Sequence, residues 1–321
     1  MIVENGSQPA RPPGYGWGPS GRRLAAEGRW PELLARFRTA RALGDPLAGP
    51  LGHLVAYGAP ALVGVGLFEY DGGPGAPATA GDHDAGPLWE VLATRHPWWR
   101  LDGLLTAPPI RRLVRHTRVL LGEELPAGTD EVGVPYGLRP WEEGGWEPET
   151  RVREYLPAGG ARRALHAVPP TREGLTVIEL PYPGQRLIGQ TATRLLAGLA
   201  GWTAAVCVRG RAADAAAQFV PAGRVTGGEL PFAAAYPALV HLASARPDRG
   251  AAQGRLAVWQ VLAAMTGERH PARTEVEALV ARLRCLAWTD PADELWPVHL
   301  AVEDPATGLA WALSGSTADP C

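Results

Sequence analysis

Arg255 carries the sharpest chemical demand in this chain. Projected at about 100° per residue, the apolar segment 251–266 places Gln253 and Gln260 on one side. Arg255 falls nearly opposite, between Trp259 and Leu262. A guanidinium on an apolar face must reach the surface or find a carboxylate, because a buried unpaired charge is costly. Asp319 in the terminal segment is the expected partner, with Glu303 as the substitute, docking the tail onto this helix. A structural pair outweighs a ligand role, since buried ion pairs are commonly architectural. Arg255, Asp319 and His299 are also the groups from which a hydrolase or transferase site of non-standard type could be assembled.

Other candidate chemistry is thinner. Asp82-His83-Asp84 is the most metal-like cluster, carboxylates flanking an imidazole, but adjacent residues in a Gly/Pro-rich loop rarely converge on one ion, so a solvated loop is expected. The eight histidines show neither H-x-x-x-H nor H-E-x-x-H spacing. His116 and His241 fall within helical segments and read as structural. No serine sits in G-x-S-x-G. Gly64-Val65-Gly66 lacks the third glycine of a dinucleotide loop. Arg111, Arg115 and Arg118 share one helix face by i, i+4 and i+7 spacing. That stripe could hold phosphate or RNA, although Glu123 and Glu124 beside it point to a salt-bridged, solvated face.

The chain has no lysine, and its 31 basic residues are all arginine. This excludes a Schiff base to pyridoxal phosphate or to a carbonyl substrate, and it excludes a P-loop lysine. A formal net charge of −2 gives no drive toward nucleic acid or anionic membranes. Three scattered cysteines, 207, 285 and 321, make no framework and no metal pair, and fit a reducing cytoplasm. Residues 46–68 carry no full charge, but Pro46, Pro50, Pro60 and five glycines break the run. It reads as a buried helix followed by a strand rather than a membrane span.

These residues must be positioned by packed segments that alternate with irregular ones. Residues 1–21 read as a disordered tail. A mainly helical region, 22–125, contains helices at 32–43, 51–57, 88–95 and 110–121, a strand at 61–70 and a mobile loop at 71–87. An irregular Pro/Gly/Trp-rich connector, 126–174, marks a boundary. Residues 175–321 form an α+β domain with strands at 175–180, 203–208, 298–302 and 309–313 and helices at 189–199, 232–245 and 251–265. A last helix at 276–285 starts at a Thr274/Glu277 capping box. Glu303–Gly308 is a hairpin turn. Trp259 is expected in the core, on a helix that is apolar nearly all round. The fold class is α+β, with a small mixed or antiparallel sheet covered by helices.

Residues Gly254-Arg255-Leu256-Ala257-Val258-Trp259, then Leu262-Ala263-Ala264 and Gly267, resemble an uncharacterised actinobacterial family known only as a domain of unknown function. The terminal hairpin with Ser314–Asp319 extends the resemblance, which covers about residues 175–321. It implies membership and no activity. A cytoplasmic, non-enzymatic binding or interaction protein is the expected function, with no cofactor and a protein partner. Twelve tryptophans and abundant arginine suit an interface. An enzyme at Arg255 and a nucleic-acid binder through Arg111–Arg118 stand as alternatives.

Overall fold

The computed structural model describes residues 19–69, 86–157, 159–162, 175–220, 223–246, 248–289 and 296–317. The first part is helical: α1 (Pro19–Ala26), α2 (Trp30–Ala42), α3 (Ala48–Gly58), α4 (Ala61–Gly64), α5 (Leu88–Arg95), α6 (Trp98–Leu101), α7 (Pro108–Leu120) and α8 (Pro140–Glu143). A two-stranded ribbon follows, β1 (Glu154–Tyr155) with β2 (Ala161–Arg162). Then come β3 (Thr176–Glu179), β4 (Gln185–Leu187), α9 (Thr191–Ala197), β5 (Ala204–Arg209), α10 (Ala212–Ala216) and β6 (Arg224–Leu230). The chain continues with α11 (Phe232–Ala243), α12 (Ala251–Met265), α13 (Arg273–Arg282), β7 (Arg284–Thr289), β8 (Trp296–Asp304) and β9 (Leu309–Thr317).

Seven of these strands form one antiparallel sheet in the order β3-β6-β7-β8-β9-β5-β4, so the fold is α+β. Its period-2 alternation sorts side chains by size. Trp311, Leu313, Val298, Leu300, Val302 and Cys207 join the core beneath α9, α11, α12 and α13. Ala310, Ala312 and Ala301 face the other side, where the alanines of α10 pack closely against them. The β8–β9 hairpin turns at Gly308, whose φ of 65° suits a residue without a Cβ. Asp304 holds this turn by accepting hydrogen bonds from the Ala306 and Thr307 side of the loop and from Arg282.

Several expectations need correction. The strand expected at 61–70 is absent from its described residues, 61–69: Ala61–Gly64 is α-helical and Val65–Phe68 is a 3₁₀ turn. The glycines that break the pattern serve close packing instead. A Cβ on Gly64 would lie 2.6 Å from Leu92 Cδ1, and one on Gly66 would lie 2.8 Å from Leu34 Cδ2. Residues 19–21, expected in a disordered tail, open α1, and Gly21 packs against Leu51. The last helix begins at Arg273 and ends at Arg282, so Cys285 lies in β7 rather than in a helix. Its first turn is capped by Glu275, whose carboxylate accepts the Ala272 N–H at 2.6 Å, while Glu277 binds Arg139. Strand β6 is not expected from Arg224–Leu230, because Gly227-Gly228 weakens strand propensity. A Cβ on Gly227 would stand 2.8 Å from both Ile178 Cδ1 and the Ala287 carbonyl. The loop at 71–87 falls largely outside the described residues.

The core does not stop at the 126–174 connector. One continuous cluster runs from Val65, Trp89 and Leu113 through Val134, Trp146 and Val152 to Tyr236, Trp259 and Trp311. Helices α11 and α12 cross so closely that a Cβ on Gly254 would be 2.4 Å from the Val240 carbonyl. The connector runs equally close to α11: a Cβ on Gly144 would be 2.8 Å from the Ala233 Cβ, and Gly145 has φ +80°. These three glycines bring α8 and its Glu142 against α11 and α12.

Candidate functional site

The close α11–α12 crossing places Arg255 at the centre of the molecule, with 0% exposure. All five of its N–H groups are used. Nε donates to Glu142 Oε1 at 2.8 Å and Nη2 to Glu142 Oε2 at 2.9 Å, a bidentate fork. The remaining donors meet the Pro135 carbonyl (3.0 Å), the Gly137 carbonyl (3.1 Å) and His116 Nδ1 (2.6 Å). The expected Asp319 or Glu303 partner is therefore replaced by Glu142, which the connector delivers on the short helix α8. Glu303 instead accepts the Ala212 N–H at 2.8 Å, at the start of α10. Asp319 lies outside the described residues.

Glu142 is as fully engaged as Arg255. Besides the guanidinium it accepts from Trp259 Nε1 (2.9 Å), the Tyr236 hydroxyl (2.7 Å) and the Arg139 N–H (3.0 Å). Burial alone would raise its pKa. The Arg255 charge and these hydrogen bonds outweigh that and hold it below the usual carboxylate range. Burial pushes the Tyr236 hydroxyl well above its ordinary value, with the Glu142 charge adding to the effect.

On the other side of Arg255 stands His116, buried at 0% on α7. A guanidinium can only donate, so Nδ1 of His116 must accept and Nε2 must carry the proton. That N–H points at Asp130 Oδ2, 3.2 Å away. Burial, reinforced by Arg255 and opposed by Asp130, pushes the His116 pKa down to about 4. Asp130 also binds Arg112 Nε (2.6 Å) and, through Oδ1, the N–H groups of Val132 and Val134 (3.0 and 2.8 Å). Burial would raise its pKa, but these partners bring it down to about 2. The outcome is a hydrogen-bonded line, Arg112–Asp130–His116–Arg255–Glu142, in which a neutral imidazole bridges two ion pairs, ending on Tyr236 and Trp259. Trp259 is buried at 3%, as expected, and its ring lies tilted against Trp141, with centroids 5.2 Å apart.

Chemically the line is closed. A catalytic acid or base must come within hydrogen-bond reach of a substrate, and only the Arg112 end is partly exposed, with 21% of its side chain open. His116 and Arg255 are anticipated as structural from sequence; Glu142 and Asp130 are not. The usable signal for Glu142 is its setting, a carboxylate between Trp141 and Trp146.

The remaining candidates are held elsewhere. His299 is buried, its Nδ1 is 2.9 Å from Ser314 Oγ, and it stacks on Trp288 at 5.4 Å. It does not join the Arg255 line. The arginine stripe of α7 is tied down within the chain. Arg111 pairs with Asp102, and Arg118 binds Glu123 and the Ala93 carbonyl. Arg115 lies 3.6 Å over the Tyr136 ring and 5.1 Å from Trp98. Asp82, His83 and Asp84 lie outside the described residues. Among the described residues no group of three or more His, Cys, Asp or Glu could hold a metal ion, and no helix is long and apolar enough to cross a membrane. No family model, no curated protein and no solved structure matches this chain.

Proposed function

We propose that this chain is a non-enzymatic binding protein that presents a rigid surface to a protein partner. The observation that carries this reading is the sealing of Arg255: its five donors are all satisfied inside the core, which favours architecture over ligand chemistry. The alternative of a hydrolase or transferase near Arg255 draws no support from a site closed to solvent. The nucleic-acid alternative draws none from an arginine stripe already paired or stacked. The resemblance of residues 175–321 to a family of unknown function adds no activity. Unpaired, buried Cys207 and Cys285 suit a reducing cytoplasm.

The partner face favoured by the geometry is the groove between α1, α2 and α3. Its cavity is about 380 Å³ and is lined by Ala35, Thr39, Leu43, Leu47 and Leu51, with Arg36 on the same wall. Leu43 is 77% exposed and Leu47 44%, where folding alone would favour burying them. An apolar groove with a charged wall accepts the apolar face of an amphipathic helix. A photo-crosslinking residue placed at Leu43 in cells is expected to trap a discrete adduct. Leu47→Asp should abolish that adduct without changing the melt. The same adducts at Leu43 and at exposed Glu149, or none at either, would overturn the reading.

A further inference from the structure

Buried Arg255 and half-buried Arg112 and Arg118 each meet a carboxylate: Glu142, Asp130 and Glu123 respectively. Arg151 and Arg153 are different. Arg151 is only 8% exposed. Its Nε makes no hydrogen bond among the described residues, and Nη2 reaches only the Glu143 carbonyl, at a long 3.5 Å. Arg153 anchors Nη2 on the carbonyls of Ser244 (2.9 Å) and Arg249 (3.1 Å), while its buried Nη1 has no partner among the described residues. Neither arginine has a carboxylate within 4.0 Å among the described residues.

The local chain explains their convergence. A 3₁₀ turn at Pro148–Thr150 ends, and the backbone leads into β1. Arg151 keeps the helical backbone of that turn, with φ −71° and ψ −24°, Val152 after it is buried in the core at 5% exposure, and the bend there brings Arg151 and Arg153 together. Both line one small cavity, of about 30 Å³, together with Trp146, Thr150, His241 and Ser244. The cavity shares Trp146, Thr150 and Arg151 with an open depression of about 640 Å³, whose lining also includes Glu143 and Glu147.

A guanidinium taken out of water without a counter-charge is unfavourable by several kcal/mol. An oxyanion between the two arginines would remove that cost, and the planar fork suits the two oxygens of one group. The cavity admits little more than the tip of a ligand. Glu143 and Glu147 beside the entrance repel a doubly charged group more than a singly charged one. We infer that Arg151 and Arg153 form a binding site for the carboxylate group of a small monoanionic molecule, seated against Trp146. The site is separate from the α1–α3 groove and does not depend on it.

The test uses the full chain at pH 7 and fixed ionic strength, titrated with sodium acetate or propionate against sodium chloride. The carboxylates should raise Tm saturably in the millimolar range, and ¹³C-labelled acetate should show saturable line broadening. Arg151→Met and Arg153→Met should each lose both effects. If Arg151→Met does not fold, half-buried Arg153 probes the same cavity, and loss in Arg153→Met alone supports the site. Carboxylates no better than chloride, or an equal effect in folded Arg151→Met and Arg153→Met, would overturn it. Saturation by inorganic phosphate but not by acetate would overturn the carboxylate assignment.

Discussion

Glu142→Gln isolates the charge of the central pair while keeping its shape. The wild-type carboxylate accepts five hydrogen bonds, two from Arg255 and one each from Trp259, Tyr236 and Arg139. An amide cannot accept all five. With its nitrogen at the Oε2 position, an N–H₂ group faces Arg255 Nη2 and the Arg139 N–H, donor against donor. With its nitrogen at Oε1, it faces Arg255 Nε and Trp259 Nε1. Either orientation leaves a cation with 0% exposure and no counter-charge. Removing one partner of a buried pair typically costs about 3–5 kcal/mol. That is a large share of the roughly 5–15 kcal/mol that stabilises an ordinary protein. Arg255→Met should cost a similar amount by stranding Glu142. The double variant Arg255→Met/Glu142→Leu should cost clearly less than the sum, since two apolar residues leave no charge unpaired. Urea unfolding followed by tryptophan fluorescence reads all three. A Glu142→Gln loss under about 1 kcal/mol, or strictly additive losses in the double variant, would refute the pairing as an energetic unit.

Acid should weaken the same cluster in a defined window. With His116 held at a pKa of about 4 in the folded state against about 6.5 unfolded, the unfolded chain binds more protons between these values, so stability is full above pH 6.5 and falls toward pH 4. The loss amounts to about 3 kcal/mol, measured by urea unfolding across that range; a profile no steeper than that of His116→Gln would contradict it. Asp130, lowered to about 2, should extend the loss below pH 4 as it protonates. Gly254→Ala places a Cβ 2.4 Å from the Val240 carbonyl, so it should force α11 from α12 and destabilise by about 1–3 kcal/mol; a melt equal to wild type would show that the crossing yields. Burial pushes the thiols of Cys207 and Cys285 up to about 11 and about 12, so at most one of the chain's three thiols should react with a disulfide reagent in native protein at pH 7, and all three in urea.

Legibility in the sequence follows the range of the interaction that decides each feature. Helix α12 and the β8–β9 hairpin are fixed locally, by apolar periodicity and by Pro305 and Gly308 in the turn, and both emerge where expected. Strand β6 is hidden because Gly227-Gly228 erases the strand signal, yet Gly227 stands where a Cβ would crowd Ile178 of β3 and the Ala287 carbonyl of β7. The short turns at 61–68 are hidden for the same reason: glycines placed for packing on Leu92 and Leu34 imitate strand alternation. Arg255's need for a counter-charge is visible from one helical projection. The identity of that counter-charge is not, because Glu142 lies 113 residues away in a stretch without periodicity.

That stretch changes how the molecule holds together. A Pro/Gly/Trp-rich segment buries too little regular structure to fix its own conformation, and in isolation it reads as a boundary. Here it inserts two carboxylates into a core that already contains a cation. Asp130 ties the segment to α7 through His116 and Arg112, and Glu142 ties it to α11 and α12 through Tyr236, Arg255 and Trp259. Apolar residues of matching size could supply comparable stability at such a place. What they lack is direction: a bidentate fork, a tautomer-specific imidazole and an indole N–H accept one arrangement of the connector, whereas apolar surfaces tolerate sliding. The buried charges therefore set the register of an irregular segment against two halves of the chain. On this reasoning, replacing Arg255 and Glu142 together with apolar residues should leave the fold stable. It should also broaden the amide signals of residues 130–146 in NMR spectra relative to those of α12. Sharp, unique signals throughout that segment would show that packing alone specifies it.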